Sequence, residues 1–287
     1  MRRESSKPET RMTNQIRSRN GKLTRSAGVG ISHLRLRILL LLLTAACTGN
    51  AQSRRNLDAG KHALDAQDYD QTIRACDAVI ASGDGAALAE AYYLRGYAIE
   101  MRPKADNAAS ARDLALARDS YAKGLTHNPR PTLAGRLHAQ LGNVCYYQQD
   151  YSAAVPELAL AFNMLDASQP RDLILYHMGV GQQRLGRFAD ADVSFQRLLQ
   201  DYPNSLYAGA AKAHQGIRGF YVQVGAYSRQ SDIDTAARAV SAAGSEAMTM
   251  SNKGLTIIRT QTVPSFGQAE ELREKLAGAY PDARVMP

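Results

Sequence analysis

Residues 219–228 read Gly-Phe-Tyr-Val-Gln-Val-Gly-Ala-Tyr-Ser, a stretch in which apolar and polar side chains alternate. A period of two places every second side chain on the same face of a β-strand. Tyr221 and Gln223 are therefore expected on an open sheet face. The residues expected to face a core are Phe220, Val222 and Val224.

The residues after this strand predict a small α+β domain at 218–287. The predicted elements are a helix at 231–243, a strand at 247–251, a strand at 255–262, a helix at 266–279 and a strand at 283–286. Ser231 or Asp232 is expected to cap the first helix. The order strand, helix, strand, strand, helix, strand is that of a ferredoxin-like βαββαβ sandwich, with two helices covering one sheet face.

These residues carry a resemblance to the SPOR family. The stretch from Phe220 to Ser228, followed by a helix through Ala236-Ala237-Arg238, is similar to the opening of that family, and Gly254-Leu255 leading into Arg259 is similar to its second half. The segment Thr260-Gln261-Thr262-Val263 departs from the family pattern, which usually has Val-Gly-Pro-Phe after the arginine. The resemblance implies binding to peptidoglycan glycan strands that have lost their stem peptides.

The sheet face opposite the predicted helices is the candidate glycan site. Arg259 is expected to join the strand residues on it if Ile258 and Thr260 point inward. An aromatic ring can stack on a sugar, and an amide or a guanidinium can hydrogen-bond its hydroxyl and acetamido groups. The alternative is that these positions are ordinary solvated strand residues. The candidates, of which Tyr227 and Ser228 come from the matching motif, are Tyr221, Gln223, Tyr227, Ser228 and Arg259.

The part of the chain before this domain contains a repeat. A small residue is followed twelve positions later by another and four positions after that by a larger apolar residue. The three sets are Gly60, Thr72 and Cys76; Gly142, Ala154 and Leu158; and Gly179, Ala191 and Phe195. Tyr69, Tyr151 and Phe188 mark the turn between paired helices. A fourth set contains nine added residues, expected between its helices around 102–110; its members are Gly96, Ala117 and Tyr121.

The pattern resembles the tetratricopeptide repeat (TPR), which implies an all-α array of paired helices over residues 57–217, with 205–214 as a closing helix. Small residues let antiparallel helices approach, and larger side chains fill the groove between neighbours. Such arrays present a concave groove to peptides or helices of other proteins. The candidate partner-binding residues, which alternatively pack between repeats, are Tyr92, Tyr93, Tyr146 and Tyr147.

Residues 1–46 form a basic leader with ten Lys or Arg residues and two Glu residues, whereas the rest of the chain carries equal numbers of basic and acidic residues. Binding to nucleic acid therefore lacks electrostatic support. The apolar run Ile38 to Ala46 is too short to span a bilayer, which takes about twenty residues, and fits the apolar region of a signal peptide.

The end of the leader predicts export. Thr44-Ala45-Ala46-Cys47 resembles a bacterial lipoprotein cleavage site, which implies a lipid anchor on Cys47 and a place on the periplasmic side of the envelope, at the outer membrane. Cleavage nearby and an uncleaved short anchor are the alternatives. Residues 47–56 are expected to be a flexible linker. Cys76 and Cys145 are expected to be buried free thiols rather than a disulfide.

The sequence contains no recognisable nucleophile and base, metal set or phosphate loop, so we expect a non-catalytic protein without metal or cofactor. His62, His138 and His177 are predicted on repeat helices without a partner at ligand spacing.

One hypothesis is an envelope lipoprotein that binds peptidoglycan and recruits a division or wall-synthesis protein. Its rival is an outer-membrane assembly or scaffold protein whose repeats bind clients while the terminal domain only docks. A third is an unrelated regulatory terminal domain.

Overall fold

A computed structural model describes residues 51–166 and 168–287 of the chain. Within these described residues, nine helices come first: α1 at 51–65, α2 Tyr69–Ser82, α3 Gly85–Met101, α4 Asn107–Thr126, α5 Pro131–Tyr147, α6 Tyr151–Met164, α7 Arg171–Arg184, α8 Phe188–Asp201 and α9 Ala208–His214. The C-terminal domain follows: β1 Tyr221–Tyr227, α10 Gln230–Ala242, β2 Ala247–Asn252, β3 Leu255–Thr260, α11 Phe266–Ala277 and β4 Arg284–Met286. Among the helices of the described residues, none has the length and apolar character to cross a membrane.

The first eight helices form four antiparallel pairs, as the repeat predicts. The turns within three of the pairs lie where predicted, and each contains a residue with a left-handed backbone: Gln67, Gln149 and Gly186. Asp68 and Asp150 follow two of these residues, and each carboxylate accepts a hydrogen bond from a backbone N–H in the first turn of the next helix. Capping of this kind stabilises a helix start by about 1 kcal/mol.

The recurring glycines lie where the two helices of a pair touch. A Cβ built on Gly142 would come within 2.7 Å of Leu158, and one on Gly179 within 2.6 Å of Phe195. Gly96 faces Tyr121 in the same way, at 2.7 Å, whereas a Cβ on Gly60 would make an ordinary contact of 3.5 Å with Cys76. Each glycine thus meets the large residue that the repeat assigns to it, and the TPR-like packing is confirmed.

The insertion in the second pair lies where it was predicted. It lengthens the start of α4 and enlarges the preceding loop, which covers residues 102–106. The Arg102 guanidinium pairs with the buried Asp113 carboxylate, and its hydrogen bonds lower the pKa of Asp113. The Lys104 ammonium donates to the carbonyl oxygens of Ile99, Glu100 and Arg102 at the end of α3. The loop is therefore fixed to both helices.

The prediction of a flexible linker at 47–56 is wrong for residues 51–56, which belong to α1. Residues 47–50 and the leader with Cys47 lie outside the described residues. The helix forms here because Leu57 packs with Cys76 and Val79 and because the buried Ser53 hydroxyl lies 2.9 Å from that of Ser82. Tertiary packing overrides the polar composition of the segment.

Cys76 and Cys145 are buried free thiols, as expected. Burial raises the pKa of Cys76 to about 12 and also raises that of Cys145. Both side chains fill space between helices as small apolar groups.

The C-terminal domain has the predicted βαββαβ order and an antiparallel sheet in the order β2-β3-β1-β4. The core between the sheet and the two helices contains Val222, Val224, Val240, Ile258 and Leu276. Burying a side chain of this size contributes about 1.5–3 kcal/mol. The predicted caps Ser231 and Asp232 lie inside α10, which begins at Gln230, one residue before the predicted start, and has Arg229 at its N-cap without a side-chain hydrogen bond.

Candidate functional site

The sheet face away from α10 and α11 carries a row of side chains that crosses all four strands. Gln223 lies at the centre of the row, paired with Arg259 of β3 on one side and with Arg284 of β4 on the other. Met248 of β2 pairs with Arg259 from the far side. Residues directly opposite each other in antiparallel strands share a face, so these four side chains form one continuous strip.

Tyr221 and Arg259 interact on this face. The Cζ atom of Arg259 lies 4.6 Å from the centroid of the Tyr221 ring, which is a cation–π distance. One guanidinium nitrogen also lies 3.4 Å from the carbonyl oxygen of Thr260 and 3.4 Å from the hydroxyl of Thr262. Ile258 and Thr260 are fully buried, which meets the condition for placing Arg259 on the open face. The structure thus brings Tyr221, Gln223 and Arg259 together.

Tyr227 does not share this face. The register shifts between Gln223 and Gly225, so Val224 is an extra residue in β1 and the alternation changes phase after it. Tyr227 consequently packs against the helix-side core, and burial raises its pKa. Ser228 is exposed and follows the end of β1. The structure therefore separates these two candidates from the other three.

The segment that departs from the family pattern is integrated in the sheet. The Thr260 hydroxyl accepts a hydrogen bond of 2.9 Å from the Val222 N–H and donates one of 3.0 Å to the Gln261 carbonyl. Phe220 and Val263 then exchange two backbone hydrogen bonds of 2.8 and 2.7 Å. A side-chain hydroxyl thus takes the place of one ladder hydrogen bond, and the strip keeps its shape.

An apolar area borders the polar strip at the β2 edge of the sheet. Met250 and Leu255 are 49% and 41% exposed, and Met250 pairs with Ile257 on the same face as Arg259. The face therefore offers flat apolar surface beside an aromatic ring, an amide and two guanidinium groups. These are the groups that can pack on a sugar ring and hydrogen-bond its substituents.

The candidate tyrosines of the repeat array lie on α3 and α5 but do not form one group. Tyr92 stacks on His127, at 5.5 Å between ring centroids, near the end of α4. Tyr93 instead lines a cavity of about 220 Å³ together with Gln140, Asn143 and Leu173. The first helices of the second, third and fourth pairs contribute to this cavity, so Tyr93 faces the side of the array where a groove is expected.

Tyr146 and Tyr147 surround a buried histidine. The Tyr146 ring stacks on His177 at 4.0 Å, and Tyr147 makes an edge contact with it at 5.5 Å. The His177 Nδ1 lies 2.9 Å from the Asn143 side-chain oxygen, and burial lowers the pKa of His177 to about 4. Tyr147 remains 53% exposed. Tyr146 thus packs between repeats, whereas about half of the Tyr147 side chain is exposed to solvent.

The three histidines named from the sequence have local partners. His177 bonds Asn143, the His138 ring lies 2.6 Å from a Glu157 carboxylate oxygen, and the exposed His62 ring lies 2.7 Å from the Asp58 carbonyl oxygen. Within residues 51–166 and 168–287, no group of three or more His, Cys, Asp or Glu side chains is arranged to hold a metal ion.

Residues 217–287 match the family model described as SPOR domain. A search of curated proteins gives no match. Among solved structures, the chain is similar to MamA protein, with a TM-score of 0.46 and 17% identity over 59% of this chain and 85% of that one. It is similar to YrrB, described as a TPR protein with an unusual peptide-binding site, with a TM-score of 0.46 and 18% identity over 60% of this chain and 82% of that one. It is also similar to PilF of Pseudomonas aeruginosa, with a TM-score of 0.44 and 18% identity over 58% of this chain and 68% of that one.

Proposed function

We propose that this chain, which carries a SPOR domain at residues 217–287 behind a TPR-like helical array, is a non-catalytic envelope protein that joins peptidoglycan to a second protein. The SPOR domain binds glycan strands that lack stem peptides, and the helical array recruits a protein of the division or wall-remodelling machinery. No metal, cofactor or nucleic acid takes part.

The observation that carries the proposal is the convergence of Tyr221, Gln223 and Arg259 on one open sheet face. A glycan chain without peptides is long, narrow and rich in hydroxyl and acetamido groups. An open strip across the strands can hold it, because amide and guanidinium groups donate to such oxygens and an aromatic ring packs against the sugar. Stem peptides would obstruct the approach of the strand to a flat face.

The helical array supports the recruiting role. Its first helices present the cavity of about 220 Å³ that Tyr93 lines and, on α5, the exposed ring of Tyr147. A partly apolar cavity and an exposed aromatic ring can each anchor a peptide side chain. We place the partner-binding surface at these residues, and Tyr92 and Tyr146 contribute to packing.

The proposed location is the periplasmic side of the envelope, with a lipid on Cys47 at the outer membrane. The lipoprotein-like sequence before Cys47 supports it. Mass spectrometry of the mature protein should find a lipid on Cys47, and a Cys47→Ser variant should carry none. A mature wild-type chain without a lipid on Cys47 would reject the lipid anchor and leave the glycan-binding proposal unaffected.

Fluorescent fusions exported with the native leader test the function in cells. We expect enrichment at midcell, where stripped glycan occurs during division, and loss of that enrichment when residues 218–287 are deleted. A uniform envelope signal for the full chain would contradict the proposal and favour the alternative, in which the repeats bind client proteins and the terminal domain only docks.

A further inference from the structure

Charge is divided between the two layers of the SPOR domain. The four strands contain two arginines, Arg259 and Arg284, and no Asp or Glu. The two helices contain five acidic residues and three basic ones. The open face is therefore electropositive although the domain as a whole is nearly neutral, and such a face attracts anions.

Both arginines are free to bind a ligand. Within residues 51–166 and 168–287, neither Arg259 nor Arg284 forms an ion pair with a carboxylate. Arg259 is held over the Tyr221 ring, and Arg284 is exposed. A guanidinium presents donors in a planar fork that matches a carboxylate, so two unpaired guanidinium groups on a sheet face suit an anionic ligand better than a neutral one.

We propose that Arg259 and Arg284 bind two carboxylates of one glycan strand and that these contacts make the site selective for stripped peptidoglycan. The inference rests on the proposed function and adds to it the group that is recognised. In intact peptidoglycan the lactyl group of each muramic acid is joined to its stem peptide by a neutral amide. Hydrolysis of that amide by an amidase leaves a lactyl carboxylate on the sugar and a free amine on the departing peptide, so stripping makes the strand an anion.

The spacing of the arginines agrees with such a strand. Arg259, Gln223 and Arg284 lie in register on three adjacent strands, so the two arginines are separated by two inter-strand steps, about 9–10 Å. Lactyl groups recur on every second sugar of the glycan, a comparable distance. One disaccharide step would therefore bring successive carboxylates to Arg259 and Arg284, with the intervening sugar over the amide of Gln223.

Three soluble glycan strands of equal length test the inference by titration against residues 47–287: amidase-stripped strands, the same strands with their carboxylates converted to methylamides, and neutral chitin oligosaccharides. We expect stripped strands to bind on the order of tenfold more tightly than either neutral ligand. The advantage should shrink as salt rises from low to physiological strength.

Variants assign the effect to the two arginines. Arg284→Gln and Arg259→Gln should each reduce the preference for stripped over methylamidated strands, and Arg284→Lys should retain more of it than Arg284→Gln. Arg238→Gln, an exposed arginine on α10, is the matched control and should leave it unchanged. Equal affinity for stripped and methylamidated strands would overturn the carboxylate inference while leaving glycan binding intact. Failure to bind any of the three ligands would overturn the proposed function and the inference together.

Discussion

The Cζ atom of Arg184, at the end of the fourth repeat's first helix, lies 3.9 Å from the centroid of the Phe266 ring, at the start of the SPOR domain's second helix. The same guanidinium lies 5.3 Å from the Phe220 ring, which also contacts Phe188 of α8. Within the described part of the chain, the buried Nη1 of Arg184 has no hydrogen-bond partner. The two aromatic rings are thus its main contacts, and they connect the array to the SPOR domain.

Removal of Arg184 should loosen this connection. A partly desolvated cation–π contact contributes about 1–2 kcal/mol, so we expect Arg184→Ala to let the SPOR domain move relative to the array. Small-angle X-ray scattering should then give a larger radius of gyration, whereas the exposed control Arg187→Ala should give the wild-type value. Identical scattering from Arg184→Ala and wild type would show that other contacts hold the domains together.

Substitutions on the open face should reduce glycan binding, whereas substitutions behind the sheet should not. Gln223→Ala and Arg259→Ala each remove polar donors at the centre of the strip, and we expect affinity for stripped peptidoglycan to fall about tenfold. Tyr227→Phe removes only a hydroxyl on the helix side of the sheet and should bind as wild type does. A loss of affinity in Tyr227→Phe as large as in Gln223→Ala would show that the glycan contacts the helix side of β1 and not the open sheet face.

Because the paired helices of each repeat lie so close together, adding one methyl group at their contact should lower the free energy of unfolding. In Gly179→Ala the added Cβ would come within 2.6 Å of the buried Phe195 ring, and overpacking of this kind costs about 1–3 kcal/mol. Gly209→Ala is the matched control, because a Cβ at that position of α9 meets nothing within 4 Å. Urea unfolding should give a lower free energy of unfolding for the first variant and an unchanged or higher one for the second.

The buried His177 predicts a loss of stability in acid. Its pKa is lowered to about 4 in the folded chain by burial, against 6.5 as the ordinary value. The unfolded chain therefore takes up the proton first as the pH falls, and the free energy of unfolding should drop between about pH 6.5 and pH 4 by at most about 3 kcal/mol from this residue.

His177→Gln provides the comparison for that loss, since a glutamine amide can still donate to Asn143 but does not titrate. The rings that contact His177 belong to Tyr146, Tyr147 and Tyr176, which stay neutral in this range. The difference in unfolding free energy between wild type and variant should change with pH over this window only. A difference that is constant from pH 7 to pH 4 would mean that His177 is protonated with its ordinary pKa.

Sequence periodicity accounts for most of the fold. The glycines that recur with a large residue sixteen positions later encode the helix contacts directly, as Gly142 and Leu158 illustrate. The alternation also predicts the first half of β1 correctly, since Val222 is buried and Gln223 lies on the open face. The segment at 51–56 was missed because its helix depends on Leu57 and Ser53 packing against α2, which composition does not reveal.

The site was harder to predict because it depends on strand register. The extra residue at Val224 reverses which side chains of β1 face the helices. The sequence of residues 220–227 does not reveal this extra residue. Tyr227 was therefore grouped with the residues of the open face, although it lies on the helix side. Arg284 was missed for a related reason. It becomes a neighbour of Gln223 only through the pairing of β4, a strand of three residues that lies far along the chain.

The most direct test is co-sedimentation of purified residues 47–287 with peptidoglycan sacculi before and after an amidase removes the stem peptides. The account predicts that more protein pellets with stripped sacculi than with untreated ones and that Gln223→Ala abolishes most of the gain. Equal pelleting with both materials, or none with either from a chain that is folded by circular dichroism, would contradict it.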